Sequence, residues 1–165
     1  HDQMQILPYN RVVRDLEGRS VDALRERLEA VFDLTQSDRP EPPHKGVFGV
    51  YLGGRWWHAR VRPGSFDASD PVASLDCSLC QDQLLAPVFG VRDPRRDAHV
   101  EFVGGIRGSS EVARRVDEGR ATLGVVLYPT SVSELIEVSD QGRLMPPKST
   151  WFEPKLESGL FVHVF

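Results

Sequence analysis

The chain has 165 residues, 40 % hydrophobic and 27 % charged, with a net charge of -4 and a pI near 5.7. These values fit one ordinary globular core and exclude a disordered or membrane-spanning composition. The acidic balance also argues against a general nucleic-acid binder, no apolar run approaches the ~18 residues of a membrane helix, and no basic-then-apolar leader follows His1.

In chain order, Met4 to Arg14 carries Ile6, Leu7, Tyr9, Val12 and Val13, interrupted by Pro8, and reads as an edge strand or two short extended pieces, paired at one edge only. Ser20 is placed to cap a helix whose Leu24, Leu28, Val31 and Phe32 share one face. Ser37 to His44 holds three prolines and reads as a surface connection. Gly46 to Leu52, Gly53-Gly54 and Arg55 to Arg62 form the pattern of a hairpin, the glycines supplying the positive φ of a two-residue turn. Asp70-Pro71 is expected to open a helix through Leu75, Leu79, Leu84 and Leu85 that ends at Pro87 and Gly90.

From His99 the pattern alternates: strand Val100 to Val103, helix Ser110 to Glu118, strand Thr122 to Tyr128, helix Val132 to Ser139 and strand Leu160 to Phe165. The expected fold is therefore α+β, a mixed β-sheet with short helices packed on it, in a single domain over residues 1–165. The two short helices each end at a glycine suited to a left-handed cap, Gly119 and Gly142.

Cys77 and Cys80 have the spacing of a redox pair or half a zinc site, but they sit on the apolar stripe of a predicted helix. Buried, inert thiols are expected, in a reducing, cytoplasmic compartment. The five histidines, His1, His44, His58, His99 and His163, lack metal-ligand spacing, so no metal site is expected from them.

Two segments carry candidate chemistry. In Phe102 to Ser110 a strand runs into Gly104, Gly105, Arg107 and Gly108 and then a helix start. Glycines admit close approach of a ligand, and free N–H groups at a helix N-terminus attract phosphate or carboxylate; the same residues also suit a plain strand-to-helix turn with a serine cap. The second segment, Met145 to Lys155, lacks helix or strand periodicity but gathers Lys148, Ser149, Thr150, Trp151, Phe152, Glu153 and Lys155 between prolines. Lysines act as point charges for phosphate, hydroxyls donate, and Glu153 can orient or deprotonate a partner; a surface connection whose aromatics cap the core is the other reading.

Met145 to Leu156 continued by Ser158 to His163 closely resembles the C-terminal end of the family called domain of unknown function 1015. Ile6 to Val13, Asp93-Pro94-Arg95, Phe102 to Gly108 and Tyr128 to Ser131 resemble it too. The resemblance implies a C-terminal domain of a longer protein. Its absent N-terminal half, with an Asp-Gly-His-His-Arg type motif, is similar to ParB-like free-serine kinases. It further implies phosphoryl transfer to a small amino acid. Gly104, Gly105, Arg107, Gly108, Lys148, Ser149, Thr150 and Lys155 are then expected to neutralise phosphate, with Glu153 as a candidate base. A nucleotide or pyrophosphate with Mg is the cofactor implied for the full-length protein, and its own N-terminal half and a phosphorylated small molecule are the partners. The alternative is a structural or homodimerising module anchored by Trp56, Trp57 and Trp151.

Overall fold

The computed structural model describes residues 5–154. Seven strands form one sheet in the order β2-β4-β3-β6-β1-β5, with β7 pairing on the first part of β1. In chain order they are β1 (Gln5–Val13), β2 (Phe32–Gln36), β3 (Val47–Leu52), β4 (Arg55–Val61), β5 (Val100–Gly104), β6 (Leu123–Val126) and β7 (Thr150–Glu153). Every pairing is antiparallel. The helices are α1 (Val21–Val31), α2 (Asp76–Leu79), α3 (Ala86–Phe89), α4 (Gly108–Asp117) and α5 (Val132–Asp140). The α+β class and the single domain read from the sequence are what the chain adopts.

Several local expectations carry through. Ser20 caps α1 by accepting from the Ala23 N–H at 3.2 Å, and Leu24 and Leu28 are fully buried. Gly53 and Gly54 make the β3–β4 turn with φ of 60° and 75°. The helix expected over Val132 to Ser139 is α5, and the structure adds at its start a reciprocal capping box of Ser131 and Glu134, which is not among those expectations.

Other elements differ. β1 is not an edge strand: Tyr9 to Val13 pair with β5 on one side, and Arg11 to Val13 with β6 on the other. Pro8 is tolerated because it falls where β1 passes from β7 to β5, next to the Tyr9–Gly104 pair, so the interior ladder keeps its donors. Phe32 belongs to β2 and not to the helix face; it is buried opposite Val61. Asp70 caps only a turn, its Oδ1 accepting from the Val72 and Ala73 N–H groups at 2.8 and 2.9 Å. The helical run starts later, at Asp76, and widens into a π-helical stretch over Cys80–Leu85 before α3, which contains Pro87. The expected strand Leu160 to Phe165 lies outside the described residues.

Alternation along the strands splits the side chains between two faces. On one, Val13, Phe48, Val50, Ala59, Leu123 and Val125 meet Leu24 and Leu28 of α1 and the buried leucines of the Leu75–Leu85 stretch. On the other, Val12, Val103 and Val126 pack under Val112 of α4. The proline-rich connection crosses this second face above Gly49, where a Cβ would lie 1.9 Å from the Pro40 carbonyl oxygen.

Candidate functional site

The two candidate segments converge on β1. Tyr9 pairs with Gly104, and Leu7 and Pro8 pair with Trp151 and Thr150. The Trp151 ring lies flat enough on Gly104 that a Cβ there would sit 2.5 and 2.7 Å from its Cζ3 and Cε3 atoms; only glycine admits this approach. Tyr9 meets Trp151 edge-on at 5.4 Å between ring centroids and carries the Lys148 ammonium 5.0 Å from its own centroid. Lys148 is held with φ of 59°, an arrangement few non-glycine residues adopt.

The polar groups of this loop have different fates. Ser149 is buried; its hydroxyl donates to the Pro146 carbonyl and accepts from the Cys77 thiol at 3.2 Å. Thr150 opens β7, and the Trp151 Nε1–H donates to Glu153 Oε2 at 3.0 Å. Lys148 is exposed. Lys155 lies outside the described residues.

The glycine segment turns from β5 through one 3-10 turn, Gly105–Arg107, into α4. Gly108 takes φ of 70° to start that helix. Arg107 projects with its side chain 63 % exposed, 3.9 Å from Glu111. Gly105, Gly108 and Ser109 form one wall of a cleft of about 340 Å³. Pro8 and Asn10 of β1 with Val126 of β6 and Leu127 just after it make its floor, and Tyr128, Pro129 and the Glu41-Pro42 pair close it. Ser109 Oγ donates to Glu41 Oε1 at 2.7 Å, tying the proline-rich connection to the start of α4. Tyr9 and Asn10 point to opposite sides of β1. The Lys148–Trp151 cluster therefore borders the Tyr9 side, while the cleft opens on the Asn10 side.

A buried polar group that the sequence did not single out lies beneath this region. Asp76 is 6 % exposed; its Oδ1 accepts from the Gly46 N–H at 2.9 Å, and among the described residues its Oδ2 has no partner at hydrogen-bonding geometry, the Tyr128 N–H exerting only a weaker pull. Burial pushes its carboxyl up to about 6, against the opposing pull of that N–H and of Lys45. Lys45 itself pairs with Glu134 at 2.5 Å. Cys77 and Cys80 are both buried, and burial pushes the Cys80 thiol up to about 11, which leaves it a poor nucleophile. Among the described residues no three His, Cys, Asp or Glu side chains are grouped to hold a metal ion, and no helix is long and apolar enough to cross a membrane. These residues do not by themselves fit a Mg site, and no step below is routed through one.

Asn10, Glu41 and Pro42 were missed as site residues because nothing local marks them: an asparagine in a strand and a glutamate among prolines gain meaning only when β1 and the connection meet at α4.

Residues 1–78 match the model of a family described as "Protein of unknown function (DUF1015)". The Gly104–Gly108 and Lys148–Lys155 segments lie beyond that stretch. No curated protein matches the sequence. In fold, the chain is similar to a mutant free serine kinase in complex with AMP, with a TM-score of 0.52 at 10 % identity, covering 92 % of this chain and 55 % of that one. It is equally similar to a conserved hypothetical protein from Pyrococcus furiosus, at 0.52 and 11 %, covering 92 % and 57 %. A free serine kinase mutant in complex with ADP gives 0.50 at 12 %, covering 92 % and 54 %. The chain thus spans little more than half the length of these solved structures, and at such identity the likeness establishes a shared fold.

Proposed function

We propose that this chain contributes phosphate-binding groups to a small-molecule phosphotransferase centre of the free-serine-kinase kind, in the cytoplasm, completed by a ParB-like N-terminal half that the chain does not contain. The observation that carries the reading is the shared fold: 92 % of the chain superposes on about half of a free serine kinase bound to AMP. In that reading the N–H groups at the start of α4 and the exposed Arg107 receive nucleotide phosphate, with Lys148 approaching from the other side of β1 and Lys155 as a further expected cation. Ser149 and Thr150 shape the loop that holds Lys148, Ser149 through its bonds to Pro146 and Cys77.

The chemistry is transfer of a terminal phosphoryl group to a serine hydroxyl. The hydroxyl oxygen forms the new O–P bond, the P–O bond to the nucleotide breaks, and the hydroxyl proton passes to a carboxylate, for which Glu153 is this chain's candidate. Such transfer depends chiefly on positioning and on electrostatic stabilisation of the phosphoryl oxygens. The test is the full-length protein, assayed by ³¹P NMR for phosphoserine with ADP or ATP as donor. Arg107→Ala, Lys148→Ala and Lys155→Ala should each lower turnover or weaken nucleotide binding by at least roughly ten-fold; unchanged values in all three would overturn the assignment.

A second reading, a structural or homodimerising module, draws on α5, which exposes Val132 and Ile136 one turn apart at 57 % and 50 %. The tryptophans do not favour it. Trp56 packs on Tyr51 at 4.9 Å, Trp57 packs against the main core, and Trp151 covers Gly104. Sedimentation velocity over a hundred-fold concentration range separates the two, since a chain that stays monomeric removes the dimer.

A further inference from the structure

The cleft between β1 and the start of α4 is chemically uneven in a way that phosphate binding alone does not use. Its walls and floor are mostly apolar and stiff: Pro8, Pro42 and Pro129 with Val126 and Leu127. Such surfaces suit a flat ring, since prolines present rigid faces and lose little entropy on contact. Within that floor stands one amide, Asn10, which is only 2 % exposed. Its Oδ1 accepts from the Leu127 N–H at 3.2 Å. That bond fixes the orientation of the amide, because a flipped side chain would set two donors against each other. The Asn10 Nδ2 is therefore the group left over, a donor with no partner among the described residues, in a residue that lines the cleft. A donor that opens onto a cleft is met by water or by an acceptor on a bound molecule.

At the rim the charged group is an anion. Glu41 Oε1 takes the Ser109 hydroxyl, and its other oxygen is open to accept. A carboxylate here repels a phosphate within the cleft but accepts from hydroxyls, as acidic residues do from the ribose of bound nucleotides. The volume of about 340 Å³ falls within the range of small-molecule pockets.

We infer that this cleft is a nucleoside pocket, with a ring acceptor of the base on Asn10 Nδ2 and the ribose hydroxyls on Glu41. The phosphates leave the pocket toward Arg107 and the first N–H groups of α4. The inference rests on the phosphate reading above for the direction of the phosphates, but not for the pocket itself. Glu41 divides the ligand, drawing the sugar in and keeping the phosphates out.

The test is NMR titration of this 165-residue chain with three separate probes: adenosine, 2′-deoxyadenosine and pyrophosphate. Adenosine should shift the Leu127 and Ser109 amides and the Asn10 side-chain amide, and 2′-deoxyadenosine should bind at least roughly ten-fold more weakly. Glu41→Ala, at an exposed site, should erase that difference while leaving the spectrum of the free protein otherwise folded. Asn10→Asp, which keeps the acceptor for Leu127, should weaken both nucleosides. If adenosine moves none of these amides at millimolar concentration, or if Glu41→Ala leaves the preference for adenosine intact, the inference is overturned. Pyrophosphate separates the two proposals. Binding of pyrophosphate without adenosine sinks the nucleoside pocket and spares the phosphate reading; binding of adenosine without pyrophosphate supports the pocket, and the phosphate reading is then decided by the full-length assay above.

Discussion

Replacing Asp76 by asparagine should stabilise the protein at neutral pH and do little at pH 4. The carboxyl is buried with one oxygen satisfied and one not, and burial raises it from 3.8 to about 6. Between about pH 4 and 6 the folded chain holds a proton that the unfolded chain has lost, so stability falls as pH rises through that window. Above about pH 6 the deficit is complete. At 1.36 kcal/mol per pH unit the rise from 3.8 to about 6 corresponds to roughly 3 kcal/mol. The amide keeps an oxygen for the Gly46 N–H and carries no charge, so Asp76→Asn removes that deficit. Urea unfolding of both proteins at pH 4 and pH 7 measures it as a double difference, in which other titrating groups cancel to first order. The stability of the variant relative to the parent should rise by roughly 3 kcal/mol between the two pH values, equivalent to roughly 6 to 12 °C in Tm for a chain of this size. Parallel pH profiles for the two proteins would refute the reasoning, because they would mean that the carboxylate finds its solvation or a cation in the folded state.

Gly104→Ala places a methyl group 2.5 Å from the Trp151 ring, and it should cost roughly 1 to 3 kcal/mol while displacing the indole from Tyr9. The displacement is read from the tryptophan fluorescence maximum and the loss of ring-current shifts on Tyr9, and unchanged spectra would show that the ring does not rest there. Leu28→Ala empties a fully buried position of α1 and should lower unfolding stability by about 2 to 5 kcal/mol in a denaturant titration; a loss under 1 kcal/mol would mean that α1 is not docked on the sheet as described.

The local chemistry of the sequence determined what depends on near neighbours. Ser20, the leucines spaced by four and the Gly53-Gly54 turn specify a helix and a hairpin because capping bonds, i to i+4 faces and positive φ need no distant partner. The strand, glycine turn, helix order around Val103 to Ser110 was legible for the same reason. The tertiary structure decided what depends on pairing. It made β1 an interior strand despite Pro8, because the proline falls where one partner gives way to another. It turned Thr150–Glu153 into a strand by offering it the free edge of Gln5 to Pro8, although four residues among prolines show no alternation of their own. It also brought Glu41 to Ser109, 68 residues away, and set Asn10 with one donor unspent, so the cleft between them belongs to the fold and to no single stretch of sequence. Periodicity reports which face of an element is apolar, but which polar groups share a pocket is fixed by long-range strand order, and that order carries no local signature.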